Sequence, residues 1–146
     1  MYYEFTVSTK SYEELIDITH NVDEIVRKSD TKDGLCIVYV PHATAGIILN
    51  ESADPNIKRD FLFALDRAIP KHAGYLHDRI DNNAHAHIKS AIVGSSVTIP
   101  INDGHLGLGT WQAIMFCEFD GPRSKRRVGV FISREASHQG ESRVCQ

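Results

Sequence analysis

Long apolar runs, paired cysteines and an excess of basic residues are all missing from this sequence of 146 residues. No apolar run approaches the ~18 residues that a transmembrane helix needs, so we expect no membrane-spanning segment. The three cysteines form no Cys-x-x-Cys pair, and their odd number does not suit a disulfide framework. The net charge of −3 argues against a nucleic-acid-binding protein, because such proteins usually carry a basic excess.

Targeting signals and common catalytic motifs are missing as well. Residues 1–10 lack the basic stretch and apolar core of a signal peptide, so we expect a cytoplasmic protein with reduced thiols. The glycine-rich segment 104–109 is not a P-loop, because no Gly-Lys-Ser/Thr follows it. No internal repeat or interdomain linker is visible. The chain is therefore predicted to be one domain over residues 1–146, with a loose C-terminal tail from about residue 136.

Hydrophobic periodicity predicts an α+β fold. Helices are predicted over residues 12–28, from Asp54 to Pro70 and from Asn82 or Asn83 to Gly94, and strands over 2–8, 35–40, 47–50, 96–101, 111–119 and 128–133. Ser11 and Glu14 form a capping box for the first helix, and Asp54-Pro55 is a strong start for the second. The predicted architecture is a sandwich of a mostly antiparallel sheet with helices on one face.

The segment 96–127 contains strand, glycine-rich turn, strand and basic turn in succession. Its local chemistry favours a structural hairpin over a binding loop. Four cations follow Asp120-Gly121-Pro122, and clustered cations suit phosphate or carboxylate recognition. Arg123 directly follows proline on a restrained backbone, so it is the best candidate among them for a ligand contact. A solvated turn is the better interpretation of Lys125 and Arg126.

The histidine content is unusual. The chain has eight histidines, and five of them lie close together in the sequence between residues 42 and 87: His42, His72, His77, His85 and His87. Zinc sites use neutral imidazoles, often three. His85 and His87 cannot both face one ion, because residues two apart differ by about 200° around a helix axis. Periodicity does not choose between them, and hydrogen-bonded or surface histidines are the alternative interpretation.

Carboxylates near these histidines are candidates for a supporting role. Glu51 follows a strand, and Asp78 and Asp81 lie near His77. Carboxylates can orient a metal-bound imidazole or act as general bases. Asp81 is better explained as a loop or capping group.

Several segments together resemble the YjbQ family, whose members are known as secondary thiamine-phosphate synthases. The matching segments are PHATAGIILNE (41–51), DP (54–55), HDR (77–79), NNAHAHIKS (82–90), SVTIPINDGHLGLGTWQAI (96–114) and EFDGPR (118–123). They occur in the family's order and cover about the middle two-thirds of the chain. His105 departs from the family pattern, and no role is assigned to it.

The resemblance implies a trimer with sites near subunit boundaries, and it implies which residues form the site. It selects His87 over His85 and gives His42, His77 and His87 as metal ligands. It gives Glu51, His42 and Arg123 as catalytic residues, and Asn82, Gly109, Thr110, Gln112 and Arg123 as substrate-binding residues. The implied cofactor is a divalent metal, expected to be zinc, or magnesium if pyrophosphate is the leaving group.

The implied activity joins a hydroxymethylpyrimidine pyrophosphate to a thiazole phosphate, forming thiamine phosphate as a weak or side reaction. Two alternatives stay open. One is a metal-dependent hydrolase of another phosphorylated metabolite. The other is a non-catalytic trimeric protein that binds a ligand or anion. In each case the expected partners are a small phosphorylated molecule and further copies of the chain, without nucleic acid or membrane.

Overall fold

A computed structural model describes residues 1–136 of the chain. The strands are β1 (Tyr2–Val7), β2 (Glu14–Asp17), β3 (Gly34–Tyr39), β4 (Ala45–Asn50), β5 (Ser96–Asn102), β6 (His105–Leu106), β7 (Ala113–Glu118) and β8 (Arg126–Arg134), and the helices are α1 (Thr19–Ser29), α2 (Pro55–Ala68) and α3 (Ala84–Val93). The strands form a five-stranded sheet, β1-β8-β3-β5-β6, and a three-stranded sheet, β2-β7-β4. Every neighbouring pair is antiparallel, which confirms the predicted α+β class.

The two sheets and α1 together enclose the main core. It includes Val38 and Val130 from the larger sheet, Phe116 from the smaller sheet, and Val22 from α1. A second cluster lies on the other face of the three-stranded sheet, where Met115 packs with residues of α2 and α3. Both faces of β7 are thus covered, which explains why all six of its residues are buried instead of alternating.

The start of α2 was predicted correctly. Asp54 is the N-cap and accepts a hydrogen bond from the backbone N–H of Asn56, while Pro55 occupies the first helical position. No residue of α2 is fully buried, and Phe63 is 60% exposed. The helix therefore contacts the three-stranded sheet only through partly buried side chains such as Phe61 and Leu65.

The predicted first helix over 12–28 was wrong over its first seven residues, 12–18. Glu14 does accept hydrogen bonds from the backbone N–H groups of Lys10 and Ser11, as in a capping box. The residues that follow, however, form β2 at the edge of the three-stranded sheet, where Leu15 lies opposite Cys117. The helix begins only at Thr19. Pairing with β7 outweighed the local helical pattern, which shows tertiary contacts overriding propensity.

The predicted hairpin around the glycine-rich turn was also wrong. β5 belongs to the five-stranded sheet and β7 to the three-stranded sheet, so the segment between them crosses from one sheet to the other. Inside this crossing, β6 pairs back onto β5 through Ile101 and Leu106. A local sequence pattern cannot distinguish a hairpin from such a crossing, because both need the same turn residues.

Helix α3 has the predicted position but buries a different face from the one predicted, although Ala84 belongs to both. Asn83 and Gly94 flank it as expected. The predicted apolar face contained Ile92, which is 65% exposed, whereas His85 and Lys89 are 1% and 0% exposed. The buried side of α3 is thus partly polar, and that polar side faces the rest of the chain.

Two expectations from composition concern the cysteines and the membrane. Cys36 and Cys117 are buried and free, and burial raises the pKa of the Cys36 thiol to about 11. Cys145 and nearly all of the predicted tail lie outside the described residues. Within residues 1–136, no helix has both the length and the apolar character needed to cross a membrane.

Candidate functional site

The predicted site residues fall at two ends of the three-stranded sheet. In the β4–β7 pair, Ala45 lies opposite Glu118 at one end and Asn50 lies opposite Ala113 at the other. We call the first the histidine end and the second the glycine end. A six-residue strand is roughly 17 Å long, so within one chain the side chains at the histidine end do not touch those at the glycine end.

His77 and His87 meet at the histidine end. Their rings are 4.8 Å apart between centroids and nearly perpendicular, at 82°. His77 lies in a short 3₁₀ helix (Leu76–Arg79) and His87 in the first turns of α3. Nε2 of His77 is buried, and no hydrogen-bond partner for it lies within the described part of the chain. Two imidazoles in contact, one with an unpartnered nitrogen, are a suitable donor set for a transition metal or an ordered water.

His42 lies in the loop before β4, at the same end, but it is engaged differently. Its Nε2 accepts a hydrogen bond of 2.8 Å from the backbone N–H of Arg127. In the neutral ring the proton is therefore on Nδ1, and ligation by either nitrogen would require this bond to break. Burial and the nearby Arg126 and Arg127 lower the pKa of His42, which favours that neutral ring.

The structure thus brings together two of the three predicted ligands. Over residues 1–136, no three side chains of His, Cys, Asp or Glu are placed to hold a metal ion. An open pocket of about 330 Å³ lies beside His87 and is lined by Ala43 of the His42 loop, by Ser90 of α3 and by Gly94 just after that helix.

The basic turn belongs to the histidine end as well. Arg123 donates from Nε to the backbone oxygen of Asp120 and from Nη2 to its carboxylate, at 2.9 and 3.2 Å. The same carboxylate accepts a bond of 3.0 Å from Nδ2 of Asn83, so it joins the turn to the start of α3. The predicted substrate-binding residue was Asn82, which is exposed and in a left-handed conformation with φ 57°. Asn83, and not Asn82, makes the hydrogen bond to Asp120.

Glu51, Gly109, Thr110 and Gln112 lie at the glycine end. The side chain of Gln112 accepts a bond of 2.9 Å from the backbone N–H of Gly109, which closes a tight turn just before β7. Glu51 follows directly after β4, opposite the start of β7. Within one chain, therefore, Glu51 is separated from His42 by the length of β4.

Sequence reasoning missed a polar cluster on the inner side of α3. Nε2 of His85 is 2.6 Å from the hydroxyl of Tyr12, and Lys89 donates to the carboxylates of Glu13 and Asp66. Lys71 lies 4.5 Å above the Tyr12 ring. The spacing of His85 and Lys89, four residues apart, was the available signal that both share one helix face. His85 is buried and bonded to Tyr12, so its replacement is not the neutral control that a surface histidine would provide.

We expect the metal-free protein to lose stability below about pH 6.5, the ordinary pKa of histidine. Burial, with Lys89 and Lys71 nearby, lowers the pKa of His85 despite the opposing carboxylates of Asp78 and Asp120, and the pKa of His42 is lowered too. Between the unfolded and folded pKa values the unfolded chain binds more protons, so stability falls as pH falls. Thermal denaturation of chelator-treated protein from pH 7.5 to pH 5 measures this. The slope should be shallower for His85→Asn, and an identical slope would contradict the assignment.

Comparisons with known proteins agree on one family. A family model described as UPF0047 protein YjbQ-like matches residues 3–135. A UPF0047 protein of Methanocaldococcus jannaschii is 47% identical over 125 residues, which are 86% of this chain and 89% of that one. The UPF0047 protein YugU of Bacillus subtilis is 42% identical over 120 residues, covering 82% and 89%.

Solved structures give the same result for the fold. A YbjQ-like protein from Sulfolobus solfataricus has a TM-score of 0.90 and 38% identity, over 92% of this chain and 97% of that one. A protein of the same family from Clostridium acetobutylicum has a TM-score of 0.86 and 47% identity, over 90% and 99%. These proteins are named for their family and not for an activity.

Proposed function

We propose, starting from the fact that this chain belongs to the UPF0047 YjbQ-like family, that it is a metal-dependent enzyme acting on a small phosphorylated metabolite. The observation that carries the proposal is the perpendicular contact of His77 and His87, together with the buried and unpartnered Nε2 of His77. A buried polar nitrogen without a partner is costly, and a bound cation would remove that cost.

The donor set fits a divalent metal of the zinc type. Imidazole nitrogens are preferred zinc ligands, and catalytic zinc sites keep a position open for water or substrate. In this proposal His77 and His87 hold the ion. His42, the third ligand that the resemblance implies, would bind the metal only if its bond to Arg127 broke; while that bond is kept, His42 has its implied catalytic role instead. Bound there, the metal would supply positive charge next to substrate oxygens.

The substrate class follows from the cations at the same end. Arg123 is half exposed, with 54% of its side chain accessible, and Asp120 holds its guanidinium in place. Guanidinium groups suit phosphate oxygens because their donors lie in one plane. In the thiamine-phosphate reaction, the thiazole nitrogen forms a bond to the pyrimidine methylene carbon. The carbon–oxygen bond to pyrophosphate breaks as the new bond forms, its electron pair leaves with pyrophosphate, and Arg123 would stabilise the charge on that leaving group.

We further propose that the complete site is assembled from more than one copy of the chain. Glu51 and Gln112 lie at the glycine end, so they can join His42 and Arg123 only if they come from a neighbouring subunit. Exposed apolar side chains support such contacts, since Leu76, Ile80 and Ile92 are 73%, 76% and 65% exposed. The proposed trimer should appear in light scattering at about three times 16.3 kDa.

The experiment is an assay of zinc-loaded protein with hydroxymethylpyrimidine pyrophosphate and thiazole phosphate, followed by chromatography for thiamine phosphate and pyrophosphate. Thiamine phosphate formed by the wild-type protein, and lost on chelation and in Arg123→Ala, supports the proposal. Release of inorganic phosphate from a single metabolite would instead identify a hydrolase. Binding of both substrates without any product would identify a non-catalytic anion-binding protein.

A further inference from the structure

We propose that the buried ion pair of Glu118 and Arg126 is the positioning element of this site. It fixes the loop that carries His42 and the turn that carries Arg123, and so sets how a histidine and an arginine face one diphosphate group. The inference rests on the proposed function and extends it. Neither member of the pair contacts substrate; both act through the two residues that they hold.

A buried ion pair of this kind need not add net stability. Glu118 is 0% exposed and Arg126 6% exposed. The guanidinium binds both carboxylate oxygens, with Nε 3.0 Å from Oε1 and Nη2 bonded to Oε2. Removing two charges from water costs several kcal/mol per ion, and apolar replacements of such pairs are often equally stable. What a fully hydrogen-bonded pair adds is a defined geometry of the groups around it.

One arm of the network reaches Arg123 through Thr9. The Thr9 hydroxyl donates to Glu118 Oε1 at 2.7 Å and accepts the backbone N–H of Arg123 at 2.8 Å. The backbone N–H of Thr9 also donates to the backbone oxygen of Arg123 at 2.8 Å. The second carboxylate oxygen of Glu118 accepts the N–H groups of Phe119 and Asp120. The turn that presents Arg123 is therefore bonded at both of its ends.

The other arm reaches His42 through Thr44. Arg126 Nη2 donates to the Thr44 hydroxyl at 2.9 Å, and the backbone oxygen of Thr44 accepts the N–H of Phe119 at 3.1 Å. The next residue, Arg127, donates its backbone N–H to Nε2 of His42. One network thus fixes both the loop position and the ring nitrogen that carries the proton.

We infer that the network holds two donors for phosphate oxygens at the histidine end. As placed, the neutral His42 offers Nδ1–H, and Arg123 offers the guanidinium donors that Asp120 does not use. A diphosphate has enough acceptor oxygens for both. Small displacements of either donor weaken binding strongly, because such bonds depend on distance and angle.

The test compares three buried threonines, each replaced by valine, which has nearly the same shape without the hydroxyl. Thr9→Val cuts the Arg123 arm and Thr44→Val cuts the His42 arm. Thr31→Val is the matched control, because its hydroxyl is equally buried but binds Arg134 far from the site. The measurement is the affinity of the full chain for inorganic pyrophosphate by calorimetry, with and without zinc, together with zinc content.

We expect Thr9→Val and Thr44→Val to weaken pyrophosphate binding by about tenfold each, with zinc content and the Thr31→Val affinity unchanged. Thr9→Val combined with Arg123→Ala should bind no more weakly than Arg123→Ala, because the threonine acts through the arginine. The ring nitrogen shifts of His42 should move in Thr44→Val and not in Thr9→Val.

Three results would overturn the proposal: additive effects in the double variant, an equal loss in Thr31→Val, or no pyrophosphate binding by the wild-type protein. Failure of the proposed function gives a different result. A wild-type protein that binds pyrophosphate but holds no zinc and forms no product would refute the enzyme and leave the positioning role intact.

Discussion

Zinc content should fall from about one ion per chain to about a tenth or less when either His77 or His87 is replaced by alanine. Their rings are in edge-to-face contact, and each would supply one of the nitrogen ligands. Loss of one ligand leaves a weakly held ion with more water around it. The measurement is elemental analysis of untagged protein after incubation with zinc and gel filtration.

A surface histidine provides the matched control. His20 lies on α1 with 80% of its side chain exposed, and its contact within the described residues is with Glu24. His20→Ala should keep the full zinc content and the full thermal stability. His42→Ala answers a separate question, which is the role of His42. Loss of metal in that variant would identify His42 as a ligand, whereas retained metal would identify it as a hydrogen-bond donor. Full zinc content in both His77→Ala and His87→Ala would refute the metal site.

Arg126→Met should lower the free energy of unfolding by about 3–5 kcal/mol. The change leaves the fully buried carboxylate of Glu118 without its counter-charge. Natural domains have only about 5–15 kcal/mol of stability, so this is a large fraction. Urea denaturation followed by tryptophan fluorescence and far-ultraviolet circular dichroism measures the loss.

A second replacement separates charge from packing. Adding Glu118→Gln to Arg126→Met removes the isolated charge but keeps an acceptor for the backbone N–H groups of Phe119 and Asp120. At least half of the lost stability should return in the double variant. If the double variant is less stable than Arg126→Met, lost packing and not the unpaired charge explains the effect.

Local sequence signals predicted α2 and most strands well. Asp54 and Pro55 determine the start of α2 through their own backbone preferences, independently of distant contacts. The apolar run at 35–40 became β3 with nearly the same limits, Gly34–Tyr39. Such signals are short-range, so they survive in any tertiary context that keeps the segment ordered.

Predictions failed where distant segments decided the result. Glu14 and Leu15 have a helical pattern but form β2, because the edge of β7 was available for pairing. Periodicity put Ile92 inside and left His85 unassigned, yet His85 is buried beside Tyr12, a residue 73 positions away in the sequence. No local window contains that contact.

The candidate site, too, was predictable from the sequence only in part. The types of its residues, a group of histidines and an arginine after Gly-Pro, were visible in the sequence and pointed to metal and phosphate chemistry. The sequence did not show which of these residues lie together. The lengths and pairing of β4 and β7 place Glu51 and Gln112 at the opposite end from His42 and Arg123. The sequence by itself determined the α+β class, the start of α2 and the chemistry available. Only the tertiary structure decided which side chains meet, because that depends on strand register and helix orientation, which arise from contacts between residues far apart in the chain.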